Sequence, residues 1–197
     1  MVEVRKATAV DVVVIAAALA RAFDDDPMTA WVFPDEATRR RHLARFFAAY
    51  LRKIVLRHDE VYTTPDDAGA ALWEPPGCWQ VGIRGQLRLL PAMVGLLGRR
   101  LPTVGRGWAL IESRHPRQPA HWYLATLGTE PARQGHGVGS ALMGPVLERC
   151  DQEGVPAYLE SSKESNLAFY ARFGFEVTGE IDVPDGPRLW PMWREPR

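Results

Sequence analysis

The sequence predicts one α/β domain over residues 1–197, a mixed sheet with helices on both faces. Segments of strand-like and helix-like patterning alternate along the chain. The last third runs strand, helix, strand, an order that implies a parallel pair, with antiparallel additions after it. Hydrophobic residues make up 46% of the 197, enough at this length to bury a core without metal or disulfide support.

Val2 to Lys6 alternates and reads as a short first strand. Thr8 and Asp11 offer capping oxygens ahead of an apolar helix, Val12 to Phe23. Asp24-Asp25-Asp26-Pro27 stops it, because the residue before a proline is pushed out of the helical region. From Asp35 to Arg57 the positions Leu43, Phe46, Phe47, Tyr50, Leu51 and Ile54 recur at three and four, which makes an amphipathic helix. Glu60 to Thr64 and Ala68 to Trp73 are strands flanking a turn at Pro65-Asp66-Asp67. Pro75 to Arg117 mixes glycine and proline with apolar stretches and predicts one or two irregular helices.

His121 to Thr129 is the next strand, Gly137 to Glu153 a helix closed by Gly154, and Pro156 to Ser161 a strand. Pro145 lies beyond the first turn of that helix, which predicts a kink. Asn166 to Phe173 is a helix capped by Gly174. Phe175 to Val183 and Arg188 to Trp193 form a closing hairpin around Pro184-Asp185-Gly186.

Composition narrows the function. Lys plus Arg and Asp plus Glu both number 24, so no cationic excess is available to grip nucleic acid. The longest apolar runs, Val12 to Ala20 and Leu89 to Leu97, are too short to span a bilayer, and the first lacks the basic flank and cleavage pattern of a signal peptide. A cytoplasmic protein is expected. Cys78 and Cys150 lie far apart and read as free thiols. No metal is expected, since His42, His58, His115 and His121 lack ligand spacing.

The most informative segment is Pro131-Ala132-Arg133-Gln134-Gly135-His136-Gly137-Val138-Gly139-Ser140, between a strand and a helix. Glycines at alternate positions remove side chains where a backbone must approach something closely. The free N–H groups of a helix start, with the helix dipole behind them, suit a phosphate. A P-loop is excluded because no lysine ends the run. A dinucleotide fingerprint fails on spacing, since its third glycine would be Ser140 or Leu142.

Gln134 to Gly139 matches the Q/R-x-x-G-x-G/A signature, and on it the chain resembles the GNAT superfamily of N-acyltransferases. Tyr123 to Thr129 looks like that family's bulged fourth strand, and Asn166 to Phe175 like its N-x-x-x-Y-x-x-x-G-F segment. The layout as a whole resembles the puromycin N-acetyltransferase branch. The resemblance implies a mostly antiparallel sheet whose central parallel pair splays at the cofactor site. It implies acetyl-coenzyme A as co-substrate, with its pyrophosphate on the backbone of Gly135, Gly137, Gly139 and Ser140, a run that also includes Val138. The strand edge Leu127, Gly128 and Thr129 would pair with the pantetheine and receive the thioester carbonyl. Asn166 would contact the cofactor or cap its own helix. His136 stands where the family often has Lys or Arg.

Acetyl transfer needs an unprotonated amine and a proton for the departing thiolate. Tyr170, one helical turn after Asn166, matches the position of the family's acid. An α-amine loses roughly 1.4 kcal/mol to protonation at pH 7, whereas a lysine-like amine loses roughly 4.6 kcal/mol and calls for a base. Glu160, at the end of its strand, is either that base or an ordinary strand-end carboxylate. For the acceptor, Asp24 to Asp26 with Trp31 lie in the region that shapes the family's acceptor pocket, and Trp73, Glu74 and Trp79 are further candidate walls. The expected acceptor is a small-molecule primary amine, an aminonucleoside antibiotic such as puromycin or a relative. Protein N-termini or lysines, and a non-catalytic acyl-coenzyme A sensor, are the alternatives. A monomer or homodimer is expected.

Overall fold

The computed structural model describes residues 2–197. The strands are β1 (Arg5–Lys6), β2 (Val61–Thr63), β3 (Gly69–Glu74), β4 (Trp122–Thr129), β5 (Ala157–Ser161), β6 (Glu176–Val177), β7 (Ile181–Asp182) and β8 (Arg188–Arg194). They form a sheet in the order β1-β2-β3-β4-β5-β8-β6, with β7 also paired to β8. β4 and β5 are parallel and the other pairs antiparallel. The helices are α1 (Val12–Ala22), α2 (Pro27–Val32), α3 (Glu36–Lys53), α4 (Ile83–Leu97), α5 (Leu101–Arg114), α6 (Val138–Glu153) and α7 (Leu167–Ala171).

Both faces of the sheet are covered. Along β3, Ala70 and Leu72 enter a core with Leu19, Leu43 and Leu51, while Ala71 and Trp73 enter a second with Leu142, Met143 and Phe175. This two-residue alternation explains why every residue of β3 is buried and why the strand reads as one apolar run.

The parallel pairing of β4 and β5 covers only Trp122 opposite Ala157 and Tyr123 opposite Tyr158. Beyond that point β4 pairs with β3 alone, and β5 with β8 alone. The register against β3 jumps between Leu72 opposite Thr126 and Trp73 opposite Leu124, leaving Ala125 as an extra residue. Such a bulge bends its strand and increases the local twist, which turns β4 away from β5. The expected splay is present.

Several expectations are corrected. Asp24 to Pro27 ends α1 but also starts α2, a helix the sequence reading missed: Asp26 accepts from the N–H groups of Met28 at 2.9 Å and Thr29 at 3.2 Å, with Pro27 in the first turn. Residues 75–117 hold two helices, α4 and α5, within the one or two expected, and Pro91 and Pro145 lie inside α4 and α6. The strand expected over Phe175 to Val183 is divided into β6 and β7. The first strand contracts to Arg5–Lys6.

α1 lies directly on β4 at Gly128. A Cβ there would sit 2.7 Å from Leu19 Cδ2 and 2.9 Å from Phe23 Cε2. Gly128→Val is therefore expected to push α1 off the sheet and lower stability by about 1–3 kcal/mol in urea unfolding. An unchanged midpoint would show that the helix is free to move.

Candidate active site

The loop between β4 and α6 takes its shape from two glycines. Gly135 (φ +77°) and Gly137 (φ +81°) occupy the left-handed region, which costs a residue with a side chain about 1–2 kcal/mol. A Cβ at either position would meet nothing within 4 Å, so conformation and not crowding requires glycine here. The backbone N–H groups of Gly135 to Ser140 have no carbonyl partner among the described residues. The side-chain amide of Gln134 donates to Thr129 O at 3.2 Å and ties the loop to the end of β4.

This loop forms one wall of a cleft of about 530 Å³. Leu127, Gly128 and Thr129 line it from β4, and Asn166 and Tyr170 from the far side. Arg133, Lys163 and Arg172 add positive charge. Every predicted cofactor residue lines this cleft except His136, whose Nδ1 folds back to within 2.8 Å of Gln134 O. The Asn166 side chain makes no helix-capping bond, which leaves its amide for the cleft.

Tyr170 is packed edge-on against Phe169 and Phe175, with ring centroids 5.2 and 6.2 Å away. Burial, reinforced by the nearby Asp26 carboxylate, pushes its phenol above the ordinary tyrosine value, so the hydroxyl keeps its proton.

A second cavity, of about 560 Å³, adjoins the first along β4. Ala125 and Thr126 line the second, and the next residue, Leu127, lines the first. Its walls come from α3, α4 and α5 through side chains such as Phe46, Tyr50, Met93, Val104 and Trp108. Trp79, His115, Tyr123 and Glu160 complete it. Glu160 is 95% enclosed at its side chain, and its Oε1 lies 3.3 Å from His115 Nδ1.

Residues 72–175 match the model of the Acetyltransferase (GNAT) family, more than half of the chain. This chain belongs to the GNAT acetyltransferase family. It is 31% identical to an uncharacterized N-acetyltransferase of Schizosaccharomyces pombe, across 92% of this chain and 78% of that one. Among solved structures, it resembles a Corynebacterium glutamicum protein described as a histone acetyltransferase and related acetyltransferase. That match has a TM-score of 0.76 and 26% identity, over 100% of this chain and 98% of the other. The arylalkylamine N-acetyltransferase 2 of Aedes aegypti shares the fold, with a TM-score of 0.64 at 11% identity over 100% and 99%. The chain is thus an acyltransferase, and acetyl-coenzyme A is the general donor of the GNAT family.

Of the five acceptor residues expected from sequence, Asp26 alone lines either cavity. Asp24 pairs with Arg40 at 3.1 Å and accepts from Arg39 through its carbonyl. Asp26 caps α2, bonds Ser162 and lines the loop cleft. Trp31 is core, packed against Gly107 and Gly186, and Trp73 is wholly buried. Glu74 is also buried, with Oε2 3.2 Å from His58 Nε2. None of the five lines the second cavity. The lining of that cavity is spread over residues 46–160, of which Trp79 was expected as a wall and Glu160 as a base. Spacing there carries no chemical signature.

Burial pushes the Glu74 carboxyl up to about 8, from 4.5. In the folded state it holds a proton that the unfolded chain has released. Stability is therefore expected to fall as pH rises from 4.5 towards 8, by at most ~1.4 kcal/mol per pH unit from this group. Glu74→Gln should flatten that slope in urea titrations at several pH values. An identical slope in the variant would assign it to other groups.

Proposed function

We propose that this chain transfers acetyl from acetyl-coenzyme A directly to the primary amine of a small molecule with an apolar, ring-bearing body. The observation that carries this reading is the adjacency of the two cavities along β4, with Tyr170 in one and Glu160 in the other.

The first cleft fits the donor. Its unpartnered N–H groups from Gly135 to Ser140 suit a pyrophosphate, and the edge of β4 freed by the splay offers further backbone groups to the pantetheine amides. When bound, acetyl-coenzyme A supplies a thioester whose sulfur departs as a thiolate. Tyr170 holds a protonated hydroxyl in that cleft and is the donor to the sulfur. Glu160 faces the acceptor side and receives the proton of the incoming ammonium.

The second cavity fits the acceptor. It lies between α3, α4 and α5. Neither Lys nor Arg lines it, while Glu112 and Glu160 do, among many aromatic and aliphatic side chains. A single ammonium on an apolar body matches that lining. Puromycin, whose amine lies next to a methoxyphenyl ring, meets the description. Polyamines and aminoglycosides do not. The description of the Corynebacterium glutamicum structure favours a second reading, acetylation of a protein amine.

A coenzyme A thiol-release assay separates these readings. Phenethylamine, tryptamine and puromycin are expected to give saturable release with kcat/KM at least about tenfold above spermidine, an aminoglycoside or a lysine peptide. Release with the peptide alone would overturn the small-molecule reading. Tyr170→Phe is expected to lower kcat by about 10²-fold while calorimetry finds acetyl-coenzyme A binding unchanged. An undiminished kcat would remove Tyr170 from the chemistry.

A further inference from the structure

Glu160 does not face the acceptor cavity alone. Its Oε1 is 3.3 Å from His115 Nδ1, and His115 Nε2 is 3.0 Å from His121 Nε2. The other nitrogen of His121, Nδ1, is 2.8 Å from the carbonyl oxygen of Pro119. The two histidine rings lie at 29° to one another with centroids 5.1 Å apart, and Trp79 stacks on His115 at 3.8 Å. Both histidines are buried.

The proton positions follow from the partners. A carbonyl oxygen only accepts, so His121 carries its proton on Nδ1. Burial lowers the proton affinity of His121 and keeps the ring neutral, which leaves a lone pair on Nε2. That lone pair accepts from His115 Nε2–H. His115 is thereby held in one tautomer, with Nδ1 turned towards Glu160. Glu160 Oε1 has no hydrogen-bond partner, and the 3.3 Å between it and His115 Nδ1 leaves room for one proton. Without that proton, a lone pair faces a negative charge.

We propose that Glu160 and His115 together accept one proton from the acceptor ammonium, and that His121 is the positioning residue that keeps His115 Nδ1 available. This rests on the second cavity being the acceptor site. The titratable groups facing the pair are Tyr50 from α3, Glu112 from α5, Tyr123 from β4 and Tyr158 from β5, with Arg57 and Glu74 close to Tyr50. Burial pushes all three phenols up, so they stay protonated and do not compete for the proton.

The balance closes. Of the three ammonium protons, one stays on the amide nitrogen and one passes to the Glu160–His115 pair, which releases it to solvent with the products. The third replaces the proton that Tyr170 gives to the departing sulfur. The carbon–nitrogen bond forms as the carbon–sulfur bond breaks, with no oxidant or further reactant.

The test compares phenethylamine with its β,β-difluoro analogue, which keeps the ring and is largely neutral at pH 7. Glu160→Gln should lower kcat/KM about 10²-fold for the first and less than about threefold for the second. His115→Phe, which keeps the stack on Trp79, should show the same asymmetry with a loss of about tenfold. A purely structural role would reduce both substrates alike, and equal losses would overturn the proposal. Histidine ¹⁵N spectra of the protein without substrate give an independent reading. His121 should show only the Nδ1–H form, and the His115 Nδ1 signal should change in Glu160→Gln. His115 spectra unchanged by that substitution would refute proton sharing even if no amine is acetylated. Failure of the wild-type protein on every amine would instead count against the proposed function.

Discussion

The separation of β4 from β5 after two paired residues is the constraint on which the rest of the site depends. A parallel pair buried at the centre of a sheet ordinarily satisfies its backbone groups along its whole length. Here the bulge at Ala125 ends the pairing early, and the cost is unpaired backbone in the middle of the molecule. The same divergence places the linings of two cavities on consecutive residues of one strand. On the β5 side the division falls between Glu160 and Lys163. Packing elsewhere supports this arrangement: α1 closes on β4 through the missing side chain of Gly128, and α6 fills the opposite face with Leu142, Met143 and Val146.

The electrostatics divide along the same line. The loop cleft carries arginine and lysine together with free backbone N–H groups, a setting for an anion. The second cavity carries carboxylates and phenols and no cationic side chain of Lys or Arg, a setting for a cation with an apolar body. A chain whose formal charge sums to zero thus offers free backbone N–H groups in one cavity and carboxylates in the other. A net charge of zero offers no cationic excess to grip a long anionic partner. It says little about a ligand met by backbone dipoles.

What could be read from the sequence was local. Gly135, Gly137 and Gly139, the helix after them, and Asn166 with Tyr170 lie in short segments whose spacing determines their geometry, and the structure gathers them in one cleft. The strand-helix-strand order likewise required the parallel pair. The second cavity was not legible, because its wall is assembled from α3, α4 and α5, which only tertiary packing brings together. Trp31, Trp73 and Glu74 carry the residue types of a binding pocket, yet burial uses them as core. His115 and His121 lack ligand spacing, and their meeting depends on the turn of 115–121 folding back beneath Trp79. Asp26 shows a further limit: one Asp-Pro pair both ends α1 and begins α2.

The two cavities have no lining residue in common, and neither Cys78 nor Cys150 lies in either wall. Cys150 is buried, and its thiol is pushed up to about 12, far from a reactive thiolate at neutral pH. The walls of both cavities therefore hold no thiol on which an acetyl group would be parked. Direct transfer within a ternary complex, as proposed above, corresponds to double-reciprocal lines that intersect instead of running parallel.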